Sequence, residues 1–312
     1  MRVRILASLV TALVALSACG GDDNDAVSGS SETTISDDAE SFPVTVAAAN
    51  SDVTIAERPE RIVSLSPTAT EMLFAIGAGD QVVAVDDQSD YPPEVPTTAL
   101  SGFEPNVEAI ASQDPDLVVM SDDAVAGELA SLEIPLLVEP AVPTVKEALE
   151  QMEQLGEATG NTAGAESAVA EIQSSLDRIV DSLPEDQAPL SFYHELDDTY
   201  FSATSGTFIG ALYEMAGLEN IADEADDGSD YPQLSAEYIV DADPDIIFLA
   251  DSECCSQNAQ TVAARPGWDQ ITAVRNGSVV ELGDDVASRW GPRMVDLLEL
   301  IVAGADQARA AA

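Results

Sequence analysis

The chain has 312 residues, 46% of them hydrophobic, and a formal net charge of −47 from 58 Asp and Glu against 11 Lys and Arg. That apolar share can fill a core, and the length fits one large or two modest domains once a leader is set aside. So acidic a surface excludes nucleic acid and anionic lipid headgroups as partners and accords with solubility in a saline medium.

In chain order, Arg2 and Arg4 precede an apolar run over 5–16 that is too short to span a bilayer, followed by Leu16-Ser17-Ala18-Cys19. This resembles a bacterial lipobox, which implies a lipoprotein signal peptide over 1–18 and acylation of Cys19 after cleavage. Residues 19–57 are rich in Ser, Asp, Gly, Thr and Ala with few large side chains, and are read as a disordered tether because they cannot offset the entropy of ordering. No later stretch has 18 uninterrupted apolar residues, so the membrane is met only through the lipid.

The body of the chain repeats itself. EAIASQDPDLVVMSD at 108–122 returns as EYIVDADPDIIFLAD at 237–251, with Glu108 matching Glu237, Ile110 matching Ile239 and Asp122 matching Asp251. In each copy a helix stops at Asp-Pro, and an apolar run without alternation follows, as in a strand of a parallel sheet buried on both faces. Further strands are expected in RIVSLS (61–66), QVVAVDD (81–87), PLLVEP (135–140), PLSFYHEL (189–196) and GSVVELGDD (277–285). Thr68 and Glu71 read as a capping box opening a helix just after Pro67. The expectation is an α/β protein of two Rossmann-like lobes, 58–143 and 188–309, built on one plan. Between them, 144–187 carries two helical patterns. The second, over 162–183, is long enough at about 1.5 Å per residue to reach from lobe to lobe as a stiff backbone helix.

Enzyme signatures are missing: there is no G-x-S-x-G, H-E-x-x-H, Walker loop or G-x-G-x-x-G, and the chain has a single histidine. No enzyme and no resident metal or cofactor is expected. Besides Cys19, the cysteines are the adjacent Cys254 and Cys255. Outside the cytoplasm they form either a vicinal disulfide or two free thiols. Residues suited to flat apolar contact with polar edges gather in the loops after strands: Tyr91, Phe103, Tyr193, His194, Tyr200, Phe201, Tyr231 and Trp290. Among so few basic residues, Arg289 near a cleft suggests recognition of a carboxylate or phosphate, whereas Arg293, inside the last helix, suits tying down its neighbours.

The segments RIVSLSPTATEMLFAIGAGDQVVAVDDQSDYPPE, PNVEAIASQDPDLVV, YPQLSAEYIVDADPDIIFLAD, ARPGWDQITAVRNGSVVEL and ASRWGPRMVDLLE resemble, in order over about 58–305, the helical-backbone (class III) solute-binding proteins of ABC importers for cobalamin, ferric siderophores and haem. The resemblance implies two Rossmann-like lobes joined by one long helix, and a cleft that closes only slightly. It further implies a monomeric, lipid-anchored receptor on the extracytoplasmic face that hands a cobalt- or iron-containing chelate to a permease dimer with its ATPase. Family glutamates that dock on the permease fall on Glu108 and Glu237. Cleft residues of the cobalamin branch fall on Tyr231, Asp285 and Arg289. With Tyr91, Phe103, His194, Tyr200 and Trp290 these make up the expected ligand set. Positions that are aromatic in that branch are Gln88, Gly102 and Ser121 here, so a corrinoid stack would be thinner. Haem as ligand, a ligand-sensing or adhesion module on the same scaffold, and a redox protein cycling Cys254 and Cys255 are the competing readings.

Overall fold

The structure is a computed structural model that describes residues 42–49, 51–184, 188–225 and 228–312; the signal peptide, Cys19 and the tether up to residue 41 lie outside the described residues. The rest of the expected tether is corrected. Strands β1 (Val44–Ala47) and β2 (Asp52–Ile55) pair antiparallel, with Val44 opposite Ile55. Val46 and Ile55 are buried in the main core, while Thr45 and Thr54 join hydroxyls on the outer face at 3.1 Å. Each strand is only four residues long and sits among Ser, Asp and Ala, so the alternation is too brief to stand out from a polar linker.

The first lobe contains β3 (Ile62–Leu65), α1 (Pro67–Ala75), β4 (Val82–Val85), α2 (Val107–Ala111), β5 (Leu117–Met120), α3 (Ala126–Ser131) and β6 (Leu136–Val138). Helices α4 (Val145–Thr159) and α5 (Thr162–Asp181) follow. The second lobe contains β7 (Ser191–Glu195), α6 (Phe208–Met215), β8 (Glu219–Asn220), α7 (Ala236–Ala242), β9 (Ile246–Leu249), α8 (Ala259–Ala263), α9 (Thr272–Asn276), β10 (Val279–Glu281), α10 (Asp284–Ser288) and α11 (Met294–Ala311). Both sheets are parallel. Their orders are β4-β3-β5-β6 and β8-β7-β9-β10, so each runs second, first, third, fourth within its own lobe. The duplication read from the Asp-Pro-Asp phrase is thus a duplication of topology.

That phrase builds the same junction twice. Asp114 (φ 52°) and Asp243 (φ 46°) both take the left-handed conformation that turns the chain out of α2 and α7. The second aspartate of each phrase pins the start of the neighbouring strand. Asp116 Oδ2 accepts from the N–H groups of Glu60 (2.8 Å) and Arg61 (3.0 Å), and Asp245 Oδ2 accepts from the N–H (2.9 Å) and hydroxyl (3.0 Å) of Ser191. The capping-box reading of Thr68 and Glu71 is corrected as well. Ser66 is the N-cap, its hydroxyl accepts from the Ala69 N–H, and Pro67 is the first helical residue. Glu71 lies within α1 and has other partners, described below.

Although the central strands read as continuous apolar runs, alternate side chains enter different cores. Ile62, Leu117, Val119 and Leu137 of one sheet and Phe192, Ile246 and Phe248 of the other share a single core with α1, α4, α5, α6 and α11. Val63, Val118 and Met120 form a separate core behind the first sheet, and Tyr193, Ile247 and Leu249 another behind the second. The shared core unites the lobes. Helix α5, 20 residues and hence about 30 Å long, packs on α4, on α1 of the first lobe and on α11 of the second. The fit is close at Gly164, where a Cβ would collide with the carbonyl of Ile76 at the end of α1.

Gly164→Ala sets helix propensity, which favours Ala by about 1 kcal/mol, against overpacking onto backbone, which costs about 1–3 kcal/mol and cannot be relieved by a rotamer change. We expect a net loss of stability, read as a lower urea midpoint with an unchanged slope.

Candidate functional site: the junction between the sheets

In parallel α/β sheets the loops at the carboxyl ends of the strands form the ligand face. Here those loops meet across an ion cluster. Glu71, on α1 of the first lobe, has its side chain 1% exposed and accepts from two arginines of the second lobe. Arg289 Nη1 reaches Glu71 Oε1 at 2.8 Å; Arg293 donates from Nε to Oε2 (2.9 Å) and from Nη2 to Oε1 (2.5 Å). Arg289 also donates to Asp90 Oδ1 (3.2 Å), to the carbonyl of Gln88 (2.9 Å) and to Asp285 Oδ1 (2.6 Å). Arg293 lies over the ring of Tyr91, its Cζ 4.4 Å from the centroid. These partners stand on α1 and on the segment after β4 on one side, and at or just beyond α10 on the other. The bridge therefore draws the carboxyl ends of the two sheets toward one another.

This arrangement corrects several ligand assignments. The Arg289 guanidinium is 8% exposed and occupied on both terminal nitrogens by the protein, so it is a strut of the bridge and not a free anion receptor. Arg293 does tie down its neighbours. His194 is fully buried in β7, where Nδ1 lies 2.8 Å from the Tyr213 hydroxyl, and burial lowers its pKa to about 4. The ring is a neutral core group beyond the reach of a solute. Tyr193 is likewise buried, against Trp268. Trp290 packs against the shared core and donates its indole N–H to Gln151 of α4 at 2.8 Å, which fastens the bridge segment to the backbone helices. Tyr200 (φ 72°) is half-buried, tilted on Trp268 and faced by Arg265, whose guanidinium pairs with both oxygens of buried Glu195 at 2.5 and 2.6 Å. Strand alternation accounts for His194 and Tyr193: at the carboxyl end of a buried strand, successive side chains point into one core or the other.

Four aromatic side chains remain outside, and among the described residues they are the exposed aromatics: Tyr91 (43%), Phe103 (87%), Phe201 (37%) and Tyr231 (46%). Two belong to each lobe. Tyr91 and Phe103 lie between β4 and α2; Phe201 follows β7, and Tyr231 lies between β8 and α7. The tetrapeptide Ser-Asp-Tyr-Pro occurs at both 89–92 and 229–232, a second repeat that identifies Tyr91 and Tyr231 as equivalent. Phe201 and Tyr231 are held side by side. Phe201 bridges to Gln233, and the Ser202 N–H donates to the Pro232 carbonyl at 2.9 Å. Asp285 is half-exposed on the bridge; burial and the Asp90 carboxylate raise its pKa, against the opposing pull of Arg289. Gly102 admits no side chain: a Cβ would stand 2.7 Å from the Leu65 carbonyl oxygen and 2.8 Å from Asp86 Oδ2.

Buried carboxyl groups underlie the same face. Asp86 follows β4, Glu139 follows β6 and Asp251 follows β9; burial raises the pKa of each, to about 8 for Glu139 and about 7 for Asp251. Glu139 Oε1 and both Asp251 carboxyl oxygens have no hydrogen-bond partner among the described residues. Groups suited to holding a metal ion are absent among the described residues, and the Cys254 and Cys255 sulphurs are bonded to each other. Glu108 and Glu237 are exposed and occupy the same place, the second residue of α2 and of α7 behind the N-caps Asn106 and Ser235. At that position a carboxylate favours the helix.

The sequence profile of the family described as "Periplasmic binding protein" matches residues 62–286. The chain is 35% identical over 268 residues to a cobalamin-binding protein of Halobacterium salinarum, covering 82% of this chain and 72% of that one. It is 31% identical over 310 residues to the ABC transporter substrate-binding lipoprotein YvrC of Bacillus subtilis, covering 96% and 95%. Among solved structures it resembles the periplasmic vitamin B12 binding protein BtuF of Vibrio cholerae, with a TM-score of 0.66, 25% identity and coverage of 81% of this chain and 98% of that one.

Two outcomes test the bridge and the buried acids. Glu71→Ala leaves two guanidinium groups without their buried partner and should cost about 3–5 kcal/mol of unfolding free energy, measured by denaturant titration. Glu139→Gln copies the protonated carboxyl. The native acid holds its proton up to about pH 8, while the unfolded one releases it near its ordinary value of 4.5, so wild-type stability falls as pH rises between those limits. The variant should match wild type at pH 5 and exceed it by on the order of 2–4 kcal/mol at pH 8, seen as a gap in melting temperature that opens with pH.

Proposed function

Since this chain belongs to the periplasmic binding protein family, we propose that it is the lipid-anchored, monomeric receptor of an ABC importer, capturing a flat metal chelate outside the membrane and delivering it to a permease dimer and its ATPase. The observation that carries this reading is the placement of the exposed aromatics. Tyr91 and Phe103 on one lobe and Phe201 and Tyr231 on the other stand in loops at the carboxyl ends of two sheets of identical topology, which the ion cluster of Glu71, Arg289 and Arg293 bridges. Aromatic faces with hydroxyl edges suit a conjugated macrocycle with polar substituents. The names of the relatives from Halobacterium salinarum and Vibrio cholerae favour a cobalamin-type corrinoid as that chelate; a ferric siderophore or haem is the alternative cargo. No reaction is performed, and selectivity comes from the shape of the gap.

Delivery is assigned to Glu108 and Glu237. A permease of two equivalent subunits calls for one acidic contact from each lobe, and equivalent, exposed positions on equivalent helices supply them. Cys19 is the proposed site of lipid attachment.

A thermal-shift panel with cyanocobalamin, cobinamide, haemin and ferric hydroxamates tests the cargo: a ligand at a hundredfold excess over its Kd adds about 2.7 kcal/mol to stability. Cyanocobalamin is expected to give the largest shift, and a larger one from a ferric hydroxamate would reassign the cargo. The double variant Glu108→Arg/Glu237→Arg should keep wild-type binding and lose uptake in cells carrying the cognate importer; retained uptake would dismiss the docking role.

A further inference from the structure

The two lobes follow one plan of strands but differ in several connecting loops, among them the loop after the third strand. In the first lobe, residues 121–125 join β5 to α3; in the second, residues 250–258 join β9 to α8, a connection longer by four residues. The longer loop carries Cys254 and Cys255, bonded to each other and both exposed. An inserted, exposed loop at the ligand end of a sheet is ordinarily the most mobile part of a lobe. This one is fastened from several sides. The Asp284 carboxylate accepts from the N–H groups of Glu253 (2.9 Å) and Cys254 (2.7 Å), and the Ser252 hydroxyl donates to the Leu282 carbonyl (2.5 Å). The Asp251 carbonyl accepts from the N–H groups of Cys255 and Gln257 (3.3 Å each), and Arg265 donates to the Gln257 side chain (2.8 Å).

These anchors lead directly to the junction. Asp284 is followed by Asp285, whose carboxylate binds Arg289, which crosses to Glu71 of the first lobe. The disulfide is thus held on the second-lobe wall beside the bridge, with Cys254 and Cys255 themselves joined in a small covalent ring. A disulfide exposes two polarizable sulphurs that need no hydrogen-bond partner, and such sulphur packs favourably against aromatic planes. We infer that Cys254–Cys255 is a ligand-contacting element: a fixed apolar step on the second-lobe wall that meets the conjugated ring of a flat metal chelate. The inference rests on the proposed capture of such a chelate. It adds a contact site on a loop that the second lobe lengthens, and it removes the pair from redox cycling.

The test uses the full chain and cyanocobalamin, with haemin as a second flat chelate. Isothermal titration compares wild type with Cys254→Ser/Cys255→Ser and Cys254→Ala/Cys255→Ala, and far-ultraviolet dichroism monitors folding. Both variants are expected to bind about tenfold more weakly, about 1.4 kcal/mol. A second measurement avoids any variant: saturating chelate should slow reduction of the wild-type disulfide by dithiothreitol, followed by alkylation and mass spectrometry. Wild-type affinity in folded variants, or a reduction rate unaffected by bound chelate, overturns the inference alone. Wild-type protein that binds neither chelate overturns the underlying reading and the inference with it.

Discussion

A buried carboxylate clamped by two arginines from the opposite lobe is the constraint on which this architecture depends. Glu71 has almost no exposure, and Arg289 and Arg293 occupy both of its oxygens. Ion pairs removed from water contribute little net stability, because desolvation offsets attraction, yet they tolerate the loss of a partner badly. Their effect is geometric. The clamp sets how the carboxyl ends of the two sheets face each other, and through Trp290 and Gln151 it is continuous with α4. Together with α5 and a core common to both lobes, it leaves little freedom for the hinge motion that a thin linker would permit.

The charge of the chain explains why so few arginines matter so much. With 58 acidic residues against 11 basic ones, repulsion works against any compact state. Five of the eight described arginines hold junctions between elements. Arg58 bonds the carbonyl of Thr159, Arg61 the carbonyls of the Asp-Pro-Asp turn, Arg265 the carboxylate of Glu195, and Arg289 and Arg293 that of Glu71. None of these is a free handle for an anion, so the acidic surface and the recognition of solute are separate matters. What the loops at the carboxyl ends of the sheets expose is aromatic surface, suited to contact by shape.

Duplication organises function as well as fold. Equivalent strand orders bring equivalent loops to the junction, and Tyr91 and Tyr231 occupy the same tetrapeptide with nearly the same exposure. Equivalent helices present Glu108 and Glu237 one residue past the first helical position. The lobes differ in loop length, and after β9 the second adds residues that carry the disulfide. A matched pair of sheets with unequal loops can meet a symmetric partner on one face and an asymmetric solute on the other.

Local pattern sufficed for much of this. The Asp-Pro-Asp repeat, the apolar runs and the 3.6-residue spacing of 162–183 determined the two parallel sheets, their helices and the backbone helix, because each signal lies within one element and its caps. The hairpin at 44–55 stayed hidden, since strands of four residues owe their existence to the α4 surface they cover and not to their own composition. The candidate site was only partly legible. Tyr91, Phe103 and Tyr231 are exposed as expected of contact residues, whereas His194, Arg289 and Trp290 were placed in the gap by their chemistry and turn out to be held by the protein itself. Whether a polar side chain is free or already satisfied depends on partners more than a hundred residues away, as with Arg289 and Glu71. Only the tertiary structure decides that, because hydrogen bonds close in space and leave no period along the chain.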